Sequence, residues 1–176
     1  TIMFRTWVLF NPFSVINILI LVVSFMYYSK SKDNDVKWFS ILYLLGFLLP
    51  NGLSPLFNFL FSSNLVNSLV NLAPTILTLI GWKFLLDYTR KRFEKRNLGI
   101  ILIIIALILA PIISIIRSSL FDYFILKIHD FDNPIYLISS VILTFVGFGV
   151  TGLTFAGYLM VGFGFRKQAL KEASVG

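Results

Sequence analysis

The chain has 176 residues, of which 57% are hydrophobic and 13% are charged, with 19 Phe and a net charge of +7. Soluble domains carry about 25% charged residues, so this composition excludes a water-exposed surface over most of the chain. The lack of Cys excludes disulfides and thiolate chemistry. The basic residues flank apolar runs, as expected beside anionic lipid rather than nucleic acid. The sequence therefore predicts an all-α, polytopic integral membrane protein.

Five apolar segments are each about as long as the roughly 20 residues that cross a bilayer. They occupy residues 7–28, 36–61, 65–88, 98–116 and 135–165. No internal repeat and no low-complexity linker divides them. Residues 1–176 are therefore predicted to form a single transmembrane domain, a bundle of five transmembrane helices.

The basic residues around these segments predict their orientation. The connections after the first, third and fifth segments carry eleven Lys and Arg when Lys37, at the very start of the second segment, is included, and the alternate connections carry three. Because cytoplasmic loops are enriched in Lys and Arg, the N-terminus is predicted outside and the C-terminus inside, in a cell membrane or an organelle inner membrane. The residues expected to contact anionic lipid are Arg90, Lys91, Arg92, Lys95 and Arg96.

The run LLPNGLSP places Pro50 and Pro55 inside the second segment. In one interpretation this run is a loop that ends the span. In the other, the helix continues through both prolines, and the carbonyls that they free need new partners. Broken helices form ligand sites in transporters. The polar residues that would serve as backbone partners or ligand contacts are Asn51, Ser54 and Asn58.

The third segment carries polar side chains on one helical face, at spacings of 3, 4, 4 and 3 residues. They are Asn64, Asn67, Asn71, Thr75 and Thr78. Amides are costly in hydrocarbon, so this polar stripe is expected to face the bundle interior. It is interpreted as a helix-packing surface; the alternative is a surface that binds a small neutral ligand.

Between the fourth and fifth segments, residues 118–133 are too short and too charged to span, and they predict a short outer interfacial helix capped by Ser119. Pro134 is predicted to open the fifth helix. That helix carries small residues on two faces, which let another helix approach closely. The predicted helix–helix interfaces comprise Ser140, Thr144, Gly147 and Thr151 on one face, and Gly149, Gly152 and Ala156 on the other.

Several kinds of chemistry find no support in the sequence. No Asp, Glu or His lies near the centre of a segment, where proton relays and intramembrane metal sites need one. The single His, His129, lies beside Asp130 and Asp132 in what is interpreted as a solvated loop. The spacing GxGxxG occurs once, but inside an apolar segment rather than after a strand. No enzymatic activity, metal or cofactor is expected.

These features favour a non-catalytic integral membrane subunit that packs with and supports a larger membrane complex. Its expected partners are the lipid bilayer and other membrane protein subunits, and not nucleic acid. The alternative is a ligand-binding membrane module, either a solute-capture transporter subunit or a membrane sensor region, that uses the polar stripe and the broken helix. An intramembrane enzyme has the least support.

Overall fold

The fold is all-helical in a computed structural model that describes residues 12–60, 64–93, 97–130 and 132–174. No strand occurs within these ranges, so the prediction of an all-α chain is confirmed. The helices are α1 (Pro12–Ser31), α2 (Asn34–Leu60), α3 (Asn64–Val70), α4 (Leu72–Phe93), α5 (Leu98–Phe121) and α6 (Pro134–Ala173), and a π-helical turn (Asp122–Lys127) extends α5.

Three helical stretches in the described ranges are long and apolar enough to cross a membrane. They are Ser68–Arg92, Leu98–Lys127 and Pro134–Lys167. A shorter apolar stretch, Val15–Ser31, belongs to α1, and the start of the first predicted segment, residues 7–11, lies outside the described residues. The protein is thus a bundle with helices able to span a membrane, and the count of five crossings remains a prediction.

The second helix runs without interruption through LLPNGLSP. The backbone is helical over all 27 residues of α2, so the loop interpretation is wrong. At about 1.5 Å per residue α2 is about 40 Å long. The side chains of residues 50–60 lie outside the described part of the structure. The roles predicted for Asn51, Ser54 and Asn58 therefore stay predictions.

Short polar side chains set where several helices begin. Asn97 accepts a hydrogen bond from the Gly99 amide at 3.0 Å, which caps α5. Asn133 accepts one from the Ile135 amide at 3.0 Å, and Pro134 occupies the first turn of α6, as predicted. Capping of this kind satisfies backbone amides that have no partner inside the helix.

The fourth predicted segment is longer than expected, because α5 continues past Ile116 to Phe121. Ser119 therefore lies within α5 instead of capping a separate helix. The π-helical turn prolongs it to Lys127, and there the Asp122 carboxylate accepts a hydrogen bond from the Leu65 amide at the start of α3, at 3.0 Å. The predicted outer helix is thus an extension of α5, and its location at the membrane surface remains a prediction.

Two antiparallel pairs form the body of the bundle. α2 packs along α4, and α5 packs along α6, more extensively than any other two helices in the described ranges. Contacts between α4 and α5 connect the two pairs, and α1 lies against α2. Within the described ranges α6 has its main contacts with α5 alone, so most of its surface faces away from the other described helices.

Basic residues gather at one end of this bundle, which we call the basic end. There Lys91 near the end of α4 forms an ion pair with Asp35 at the start of α2, at 2.6 Å. Gly99 at the start of α5 lies against Val161 in the C-terminal half of α6. The described basic residues near these contacts are Lys30, Lys32, Lys37, Arg90, Lys91, Arg92, Arg166, Lys167 and Lys171. The alternation of helix directions thus brings together the residues that predict the inner side.

Cysteine labelling tests the predicted orientation, since the natural chain has no Cys. Asn34→Cys at the basic end and Asp132→Cys at the other end are both exposed positions. In sealed cells, a membrane-impermeant maleimide is expected to label Asp132→Cys at once and Asn34→Cys only after permeabilisation. The reverse pattern would show that the orientation is opposite to the one predicted. Labelling of both positions from the same side would show that the two ends of the bundle do not lie on opposite sides of the membrane.

Candidate functional site

Four aromatic rings from three helices form the centre of the molecule, which we call the aromatic cluster. Trp82 of α4 lies 5.1 Å from Phe39 and 5.8 Å from Tyr43 of α2, measured between ring centroids. Its distance to Tyr158 of α6 is 6.1 Å. Trp82 is only 2% exposed. Trp82 meets Phe39 and Tyr43 edge-on and Tyr158 at a tilt of 42°. Rings at these separations pack favourably, so the cluster holds α2, α4 and α6 together.

Hydrogen bonds between side chains tie α1 to the other helices. The Tyr43 hydroxyl of α2 donates to Asn17 Oδ1 of α1 at 2.5 Å. Near the basic end, the hydroxyls of Tyr27 and Tyr88 bond to each other, which links α1 to α4. Each of these groups would otherwise be an unpaired polar group in an apolar setting.

A cavity of about 640 Å³ lies beside the aromatic cluster, toward the basic end. Its volume falls in the range of about 300–1,000 Å³ that is typical of small-molecule pockets. Four helices line it: α1, α2, α4 and α6. The lining residues are Ile16, Leu19, Ile20, Val23, Ser24, Tyr27, Val36, Phe39, Trp82, Leu85, Tyr88, Tyr158, Val161, Gly162, Phe165 and Arg166.

The walls of this cavity are mainly hydrocarbon and aromatic carbon. The Ser24 hydroxyl donates to its own helix at Leu21 O, at 2.9 Å. The Trp82 indole N–H is buried and has no hydrogen-bond partner among the described residues. Arg166 supplies the one charged group among the described lining residues. An occupant that is apolar along most of its length and anionic at one end matches this arrangement.

The polar stripe lies away from this cavity. Asn71 is exposed, and the Thr75 and Thr78 hydroxyls donate to backbone carbonyls of their own helical stretch, at 2.9 and 3.0 Å. Thr78 also fills the space beside Gly46 of α2, where a β-carbon would collide with its Oγ1. The Asn64 and Asn67 side chains lie outside the described part. The stripe and the cavity are therefore separate surfaces, and the predicted role of the stripe is untested.

The small residues predicted as interfaces on α6 are mostly exposed. Thr144 accepts a hydrogen bond from Arg117 of α5 at 3.4 Å, and the same guanidinium lies near Gly147. A β-carbon at Gly149 or Gly152 would meet no atom of the described residues within 4 Å. Ala156 and Thr151 are exposed, and Ser140 is half-buried. Thus the face that carries Gly149, Gly152 and Ala156 has no neighbour among the described residues.

A different glycine pair brings α5 and α6 together. A β-carbon at Gly99 would lie 2.6 Å from the Gly157 carbonyl oxygen and 2.7 Å from the Val161 amide nitrogen. One at Gly157 would lie 2.9 Å from the Gly99 carbonyl oxygen. The two backbones therefore touch, as small residues permit in membrane helices. The sequence prediction missed this contact because it sought runs of small residues on one helix rather than single glycines on two.

Three of the residues predicted to contact anionic lipid lie in the last turn of α4. Arg90, Lys91 and Arg92 are exposed at the basic end, and Lys95 and Arg96 lie outside the described residues. Lys91 forms an ion pair with Asp35.

Among the described residues no group of three His, Cys, Asp or Glu side chains could hold a metal ion.

The sequence prediction also missed the lining of the cavity. Trp82, Leu85 and Tyr88 recur every three residues on α4, which is a helical-face pattern of the kind that identified the polar stripe. Tyrosines inside apolar segments, such as Tyr158, were a further signal. The prediction searched the apolar segments for polar side chains and glycines as site residues and did not consider aromatic residues.

These features define the class of the protein: an all-helical chain with helices suited to a membrane and an apolar cavity toward one end. No family model, no curated protein and no solved structure matches the chain.

Proposed function

We propose that this chain is a non-catalytic integral membrane subunit that packs with and supports a larger membrane protein complex. The observation that carries the proposal is the exposed surface of α6. In the apolar 18-residue stretch of this helix, only 6% is buried against the described part of the chain. Large side chains on this helix are widely exposed, with Phe145 at 71% and Phe148 at 68%. Gly149 and Gly152 follow these side chains along α6, and a β-carbon at either glycine would meet no atom of the described residues within 4 Å.

The exposed face of α5 offers an internal comparison with that of α6. Ile105, Ile108 and Ile112 are exposed on α5, and branched side chains of this kind suit contact with lipid tails. Glycines with open space offer hydrocarbon little surface to pack against, but they let another helix backbone approach closely. The contrast within one chain supports a partner helix on α6 and lipid on α5.

Gentle detergent extraction followed by native mass spectrometry tests this proposal. We expect the chain to be recovered together with other polypeptides. Gly152→Leu should release them without lowering the melting temperature, because a β-carbon at this position meets no described atom within 4 Å. Ile108→Phe, on the exposed face of α5, is the control and should leave the assembly intact. Recovery of the natural chain alone would contradict the subunit proposal.

The cavity supports a second candidate function, a ligand-binding membrane module such as a solute-capture subunit or a sensor region. Its volume and its position between four helices suit a small molecule. A stable monomer whose melting temperature rises with one added solute would favour this function over the first. A chain that melts at the same temperature with every solute tested, and that extracts with partners, would count against it.

In either function we propose the same placement in the membrane, with the N-terminus outside and the C-terminus inside, in a cell or organelle inner membrane. The gathering of basic residues at one end of the bundle supports this placement. Arg90, Arg92 and their neighbours would then lie at the cytoplasmic surface, where anionic headgroups attract them.

A further inference from the structure

The cavity at the basic end is about as deep as one leaflet of a bilayer. Its wall on α1 runs from Ile16 to Tyr27, which is about 16 Å at about 1.5 Å per residue. Half of a hydrocarbon core of about 30 Å is about 15 Å. Because Tyr27 lies at the basic end, the membrane placement proposed above would put the mouth of the cavity at that membrane surface and its inner end near the bilayer midplane.

Polar solutes gain little in this cavity. The Tyr27 and Tyr88 hydroxyls are already bonded to each other, and the Ser24 hydroxyl is bonded to its own backbone. The Trp82 indole N–H is an unpartnered donor among the described lining residues, but a sugar or an amino acid would give up several hydrogen bonds to water and recover few of them, at considerable cost. A hydrocarbon chain has no such bonds to lose.

The cavity is open toward the surrounding hydrocarbon on the side between α1 and α6. Leu19 and Val23, which line it on α1, are 57% and 62% exposed. Across the gap on α6, a β-carbon at Gly162 would meet no atom within 4 Å in the part of the chain that the structure describes. Since α1 packs chiefly on α2 and α6 chiefly on α5, a lipid tail can enter sideways without separating packed helices.

Among the described lining residues, one cation stands where such a tail would meet its headgroup. Arg166 lines the cavity, is exposed, and has no carboxylate partner among the described residues. Guanidinium groups bind phosphate oxygens bidentately, which fixes both position and orientation. The neighbouring Lys167 adds positive charge at the same end but does not line the cavity.

From this geometry we infer that the cavity binds one acyl chain of an anionic phospholipid from the leaflet at the basic end, with its phosphate on Arg166. The site does not depend on the proposed role as a subunit, because a monomer would present the same cavity. It is also distinct from the basic residues at the end of α4, which lie outside the cavity lining.

Fluorescence quenching by brominated lipid tests the site, because Trp82 lies in its wall. Trp7→Phe and Trp38→Phe leave Trp82 as the single tryptophan of three. The protein is placed in nanodiscs with chain-brominated phosphatidylglycerol or phosphatidylcholine at equal mole fraction. A charge-assisted hydrogen bond to Arg166 predicts about tenfold stronger apparent binding of the anionic lipid.

Two pairs of variants separate this site from general lipid contact. Arg166→Gln should abolish the preference for the anionic lipid, whereas Lys167→Gln, an adjacent basic position outside the lining, should preserve it. Gly162→Leu should place a side chain at the opening and reduce quenching by both lipids. Gly152→Leu, with equally open surroundings but away from the cavity, should not. Circular dichroism verifies that each variant is folded.

Three results would overturn the inference. Equal losses of preference in Arg166→Gln and Lys167→Gln would show that anionic lipid only accumulates near the basic end. Absence of Trp82 quenching by either phospholipid, in a folded protein, would show that no chain enters. Quenching by a brominated fatty acid alone would assign the cavity to a free acid rather than a phospholipid.

Discussion

Trp82→Ala is expected to lower the free energy of unfolding by about 3–5 kcal/mol, the cost typical of removing a large buried aromatic side chain. The indole is 2% exposed and contacts rings of both α2 and α6. Loss of the indole would enlarge the existing cavity by the space that the indole occupied. It would also remove the ring contacts that hold α2 and α6 against α4. Unfolding in mixed micelles with increasing denaturing detergent measures the change.

Trp38 provides the matched control, because it has the same side chain on α2 but is 45% exposed. Trp38→Ala should change the stability by no more than about 0.5 kcal/mol, as surface substitutions usually do. Trp82→Phe, which keeps part of the ring packing, should fall between the two. If Trp38→Ala and Trp82→Ala cost the same, the aromatic cluster would not be the centre of the fold.

The helices could be predicted from the sequence because their apolar runs and caps are local features. Pro134 and Asn133 together indicate the start of α6 without any tertiary information. The same local reasoning left LLPNGLSP undecided. Proline breaks helices in water, but neighbouring helices and side chains can satisfy the freed carbonyls in a membrane protein. The surroundings of α2 therefore decide whether the helix continues through the prolines, and the hydrophobic periodicity of the sequence gives no information about those surroundings.

The candidate site was harder to predict than the helices, for a geometric reason. The cavity wall takes Ile16, Phe39, Trp82 and Tyr158 from four separate helices, and their proximity depends on how the helices rotate against one another. Small residues illustrate the same limit. Gly149 and Gly157 look alike in the sequence, but a β-carbon at Gly157 would collide with α5, whereas one at Gly149 would meet no described atom within 4 Å.

The cavity and the free face of α6 depend on the same helix contact. Gly99 and Gly157 hold α5 and α6 backbone to backbone, which fixes the rotation of α6. That rotation directs Tyr158 and Arg166 toward the cavity and leaves Gly152 uncovered. A change at this contact should therefore disturb both surfaces together.

Gly99→Leu is accordingly expected to destabilise the bundle by about 3 kcal/mol, the upper part of the usual range for overpacking. A β-carbon there meets backbone atoms of Gly157 and Val161 at 2.6 and 2.7 Å, and a helix backbone cannot yield as a flexible side chain does. Gly149→Leu, into open space on α6, should leave the melting temperature unchanged. Because the cavity wall on α6 would shift with the helix, Gly99→Leu should also weaken Trp82 quenching by brominated phosphatidylglycerol, although Gly99 does not line the cavity. A variant that melts like the natural protein and keeps its quenching would show that α5 does not set the position of α6.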